Sequence, residues 1–104
     1  MIRNFRTYEI AVEFYQRTAT LKLPRHLKDQ LSRASSSIVL NIAESSGRSS
    51  KKEQRRFFEI AFGSLRESQA ILALSCSTNS QAQNCADILA AHLYKLIQHL
   101  TATS

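Results

Sequence analysis

The sequence predicts an all-α chain, an antiparallel up-down four-helix bundle, and three observations carry that expectation. Only two glycines and one proline interrupt 104 residues, so turns are few and elements long. Valine stands only at Val12 and Val39, which argues against sheets. In four separate stretches, apolar or small residues recur at alternating spacings of three and four, the period of a helix with one buried face. The composition, 43% hydrophobic and 21% charged, is that of a globular protein, and the length suits one domain over residues 1–104 with one core.

The first helix is expected over about residues 4–21. Phe5, Tyr8, Val12, Tyr15 and Ala19 form a stripe long enough to be its core face. Ile10, Phe14 and Leu21 form a second stripe, nearly opposite. This left-over stripe is read as a subunit interface, because a helix at the end of a small bundle is not fully enclosed. A head-to-tail contact through it would close into a ring-like homo-oligomer.

Pro24 disfavours helical geometry at Leu23 and suits the first turn of a second helix, expected over about residues 24–45. Its seam is Leu27, Leu31, Ala34, Ile38, Asn41 and Ser45, with Ser35, Ser36, Ser37 and Glu44 on or beside it. Small residues admit close approach of a neighbour, and buried polar ones need partners. Gly47 is a natural left-handed cap. A third helix is expected over about residues 50–76, opened by the capping-box spacing of Ser50 and Glu53. Phe58, Ala61, Leu65, Ser68 and Leu72 are its stripe, widened by Phe57, Ile60 and Ile71, and Gly63 lies on the far side. After a polar loop, Ser77 to Ser80, a fourth helix is expected over about residues 81–100, with Ala82, Ala86, Leu89, Leu93, Leu96 and Leu100 facing inward and Thr101 to Ser104 as a frayed tail.

A net charge of +6 and a pI near 9.8 suggest a polyanionic partner such as nucleic acid, RNA or DNA, or an anionic membrane, the plainer reading being a basic soluble protein. The charge concentrates at Arg48, Lys51, Lys52, Arg55 and Arg56. Four of these fall in the first two turns of the third helix, where the dipole disfavours cations. Lys51/Arg55 and Lys52/Arg56 are also like-charge pairs at i,i+4. Phosphate binding relieves both penalties; a solvated face compensated by Glu53 and Glu59 is the plainer reading. Asn41, Glu44, Ser64 and Glu67 are expected to form a structural polar network rather than an acid/base site, since no nucleophile–base pair accompanies them. His92 and His99 are seven apart, too far for one metal without further ligands, and His26 is isolated. Cys76 and Cys85 match no zinc spacing and are expected to be reduced. SSGRSSKK lacks the glycines of a phosphate loop. No catalytic residues, metal or cofactors are expected. No apolar run approaches a membrane span of ~20 residues, and with no signal peptide visible the expected location is cytoplasmic.

The run QLSRASSSIVLNIAESSGRSSKKE, followed by FFEIAFGSLRES, resembles the four-helix-bundle proteins encoded in intervening sequences of bacterial large ribosomal RNA genes, a superfamily that includes the accessory variability proteins of diversity-generating retroelements. The residues that carry the resemblance are Gln30, Leu31, Arg33, Ala34, Ser37, Ile38, Asn41, Ile42, Ala43 and Glu44, then Ala61, Gly63, Ser64, Leu65 and Glu67. Ser45 departs from the usual glycine. The resemblance implies a ring, typically a homopentamer, and a nucleic-acid association. The function so expected is that of a non-enzymatic, ring-forming RNA-binding scaffold; the alternative is a protein-interaction adaptor, for a polymerase for example, without direct nucleic-acid contact.

Overall fold

The structure, a computed structural model, describes residues 4–75 and 80–103. Four helices follow one another: α1 (Phe5–Ala19), α2 (Arg25–Ser46), α3 (Lys51–Leu74) and α4 (Ser80–Thr103). Each packs on two others. α1 lies against α2 and α4, and α3 lies against α2 and α4, while the diagonal pairs do not approach. The result is an elongated bundle, 41 × 20 × 19 Å, with one core running its length.

The seams of α2, α3 and α4 are inside along most of their length as their spacing predicts, with Leu27, Asn41, Phe57 and Leu96 half-buried and Ile60, expected to widen the α3 stripe, exposed. Leu31, Ala34, Ile38, Phe58, Ala61, Leu65, Leu72, Ala82, Ala86, Leu89, Leu93 and Leu100 are all buried. Four polar members of the core are closed by their own helices. Ser35 Oγ donates to Leu31 O at 2.7 Å, Ser45 Oγ to Ile42 O at 2.6 Å, Ser68 Oγ to Ser64 O at 2.9 Å and Thr18 Oγ1 to Tyr15 O at 2.9 Å. A hydroxyl that bonds a carbonyl one turn back crosses the core with its donor satisfied and leaves little side-chain volume between the helices.

α1 corrects the sequence reading. Ile10, Phe14 and Leu21, expected to face another subunit, are 3%, 0% and 8% exposed within the single chain and belong to the core. The other stripe looks outward: Phe5 is 55% exposed, Ala19 is exposed, and Tyr8, Val12 and Tyr15 are half-buried. The deciding neighbours are Thr7, Ala11 and Thr18, all buried on the Phe14 face. Their small side chains let α2 and α4 close over Phe14. Phe5 stacks on Tyr8 with ring centroids 6.2 Å apart.

Helix ends differ by a few residues from expectation. Pro24 is the N-cap of α2 rather than a residue of its first turn. Lys28 closes the α1–α2 connection by donating to Ala19 O at 3.1 Å and Leu21 O at 2.7 Å, a cation on the carbonyl end of α1. Gly47 is not left-handed: at φ −87° it continues the right-handed turn, with its N–H on Glu44 O at 3.1 Å. α4 continues through Thr101, whose Oγ1 bonds Ile97 O at 2.8 Å, so the expected fray is helix as far as Thr103. Cys76 and most of the expected loop lie outside the described residues. Among the described residues no helix is long and apolar enough to cross a membrane.

Candidate nucleic-acid interface

The basic residues sit on a tightly fastened turn between α2 and α3. Arg48 N–H donates to Ser45 O at 3.2 Å, ending α2. Ser50 Oγ accepts the Glu53 N–H at 3.1 Å, the capping contact that its spacing predicts, and starts α3. Gln54, buried in the second turn of α3, reaches back with Nε2 to Arg48 O at 2.8 Å. The turn is therefore held from both sides, and the cations it carries are set on a fixed frame.

Those cations are not equivalent. Lys51, Lys52 and Arg56 are exposed, and Arg55 is half-buried. Arg48 is also half-buried: its Nη2 bonds the Glu44 carboxylate one turn earlier, and its Nε is buried without a hydrogen-bond partner among the described residues. The guanidinium carbons of Arg48 and Arg56 each lie 4.9 Å from the centroid of the Phe57 ring. One aromatic ring thus holds two positive groups, each within cation–π range. Phe57 is a member of the site that the sequence reading placed only in the helix stripe; an aromatic interleaved with basic residues was the available signal. Among the described residues the ion pairs are Arg6–Glu9, Arg17–Glu13 and Arg48–Glu44, so Lys51, Lys52 and Arg56 face no carboxylate.

The expected network of Asn41, Glu44, Ser64 and Glu67 is only half assembled. Asn41 Nδ2 donates to Ser37 O at 2.8 Å and to Ser37 Oγ at 3.1 Å, and Ser64 Oγ donates to Ser37 Oγ at 2.9 Å. Ser37 is the hub, tying α2 to α3 through half-buried groups. Glu44 and Glu67 are exposed and take no part; Glu44 belongs to Arg48 instead. A carboxylate drawn into that half-buried space would need donors of its own.

The other titratable groups are dispersed. Among the described residues no three His, Cys, Asp or Glu side chains gather as metal ligands. His92 Nδ1 lies 3.4 Å from Thr7 Oγ1, joining α4 to α1, and His26 is exposed. Cys85 is buried against α1, its Sγ 3.7 Å from Ile10 O and 3.6 Å from Glu13 Oε2. Burial, and after it the charge and hydrogen bond of Glu13, push its thiol up from 9.0 to about 11.

A family model described as 23S rRNA-intervening sequence protein matches residues 4–102 of this chain. No curated protein and no solved structure gives a match.

Proposed function

The chain belongs to the 23S rRNA-intervening sequence protein family, and on that premise we propose that it is a cytoplasmic, non-enzymatic scaffold that binds RNA through the α2–α3 turn. The observation that carries this reading is the exposed trio Lys51, Lys52 and Arg56, which forms no ion pair with a carboxylate among the described residues, beside a turn fixed by Gln54 and Ser50. Cations at a helix N-terminus lose stability through the dipole and through mutual repulsion, and backbone phosphates reverse both terms. Arg48 and Arg55 contribute from the flank, and Phe57 keeps the Arg48 guanidinium in place. The contact is with phosphates and carries no base recognition of its own. Its test is salt titration of binding to mixed-sequence RNA. The logarithm of affinity should fall linearly with that of salt, by ~0.7–0.9 per phosphate contacted; binding that is absent or indifferent to salt contradicts it.

The assembly proposed is an antiparallel bundle repeated around a ring, five subunits being the number the sequence resemblance implies. Since Ile10, Phe14 and Leu21 are core, the contacts fall to two other apolar faces. One is the shallow groove between α1 and α2 lined by Val12, Tyr15, Val39 and Leu40, with Leu40 65% exposed. The other, between α3 and α4, holds Phe62, Tyr94 and Ile97. α1/α2 and α3/α4 are different sides of the bundle, and a head-to-tail contact joins two different surfaces. The same exposed apolar groups support the adaptor reading, in which one face receives a different protein. Light scattering on the parent and on Leu40→Glu separates them: a parent that is monomeric at micromolar concentration removes the ring and leaves the adaptor.

A further inference from the structure

We infer that the groove between the start of α1 and the outer face of α4 binds a segment of single-stranded nucleic acid, bases on an apolar floor and phosphates on a cationic rim. The inference rests on the reading of the α2–α3 turn as an RNA contact and extends the path of the strand away from it. The groove has a volume of about 620 Å³, within the range of ~300–1,000 Å³ common to small-molecule sites. Its floor includes Ile88, 51% exposed, and half-buried Leu96. Its rim carries Arg6 and Lys95, and the His92 imidazole lines it between them and the floor. Among the described residues no carboxylate lines it, and Lys95 has no ion-pair partner. Arg6 meets Glu9 at 3.8 Å, but both side chains are exposed and the pair is screened.

A second hollow, of about 350 Å³, shares Asn4, Leu96 and His99 with the first and is lined by Lys51 as well. The two together lead from Lys95 to the basic turn, so a strand on the turn has a positively charged course to follow. The apolar floor decides between nucleic-acid forms. A duplex offers only phosphates to such a groove, whereas unstacked bases present faces that Ile88, Leu96 and the His92 imidazole can cover. An acidic peptide would satisfy the rim and leave that floor without a matched partner.

The experiment measures fluorescence anisotropy of the full chain with a labelled single-stranded RNA of about 12 nucleotides, with a blunt RNA duplex and with a glutamate-rich peptide. The variants are Lys95→Ala and Ile88→Ser, both at exposed positions, and Lys52→Glu/Arg56→Glu in the turn, each first checked for parental helicity and melting. The groove variants should weaken single-strand binding by about tenfold and duplex binding by less than about threefold, while the turn variant weakens both. A duplex loss equal to the single-strand loss, or no loss of either, overturns the groove, and so does a peptide that displaces the RNA at equal concentration. If only the turn variant matters, the groove fails and the turn stands. A parent that binds neither nucleic acid overturns both. Should Ile88→Ser melt early, Ile88→Ala serves for the floor with the same expected outcome.

Discussion

The seam of α2 and the start of α3 lie a few residues apart and treat polar groups in opposite ways. In the seam, Ser35 and Ser45 are buried, as is Ser68 of α3, and each hydroxyl is closed by a carbonyl of its own helix. At the start of α3, Lys51, Lys52 and Arg56 point outward with no carboxylate partner among the described residues. A hydroxyl can satisfy itself locally because the helix supplies an acceptor one turn back. A cluster of cations has no such recourse, since every nearby helix group at that end is a donor. Polar residues inside this bundle are therefore a packing device, whereas those on the turn imply something outside the chain.

Substitution can break that comparison or sharpen it. The largest effect should come from the core that the seam encloses: Phe14→Ala should cost ~3–5 kcal/mol, read as a large drop in the denaturant midpoint. A variant with parental stability and lost assembly would return Phe14 to a subunit interface. Lys52→Glu/Arg56→Glu should do the reverse, leaving the melting temperature unchanged or raised while RNA affinity falls on the order of tenfold or more. Parental affinity in that variant would reduce the turn to a solvated face.

Titration supplies a subtler test on Cys85. Its folded value, about 11, lies above the 9.0 of a free thiol. The unfolded chain therefore loses this proton first, and the stability linked to it is fully present below pH 9 and is lost as pH rises toward 11. Chemical denaturation across that window should show a decline that Cys85→Ala lacks, and the native thiol should stay inert to disulfide reagents at neutral pH. The smallest effect is expected at Gly63, where a Cβ meets nothing within 4 Å. Gly63→Ala should stabilise the helix by ~1 kcal/mol. If it instead disrupts a purified oligomer, the open surface at Gly63 is covered in the assembly.

The elements of this protein were legible because its residues state them locally. Alternating spacings of three and four, a proline at the head of α2 and a Ser50–Glu53 cap at the head of α3 act within a turn or two, and the structure keeps them. The basic cluster was legible for the same reason, since charge is carried by each side chain wherever the chain folds. Three matters were not. Gly47 permits a left-handed cap without requiring one, and the turn took its shape from Gln54, six residues beyond Arg48. Glu44 and Glu67 share the spacing of a network, yet Ser37 became its hub, because half-buried space between α2 and α3 accommodates a hydroxyl without the desolvation cost of a carboxylate.

The face of α1 is the clearest case. Two apolar stripes on one helix are equivalent as long as the helix is considered alone, and periodicity determines that it is amphipathic without ranking them. The choice fell to the fit of Thr7, Ala11 and Thr18 against α2 and α4, which brings Phe14 to full burial and leaves Phe5 and Tyr15 toward water. Local pattern determines which residues are helical and where the charge lies. Which side of a helix is inside, and which exposed groups share a groove, depends on contacts between segments far apart in the chain, and only close packing of the four helices decides it.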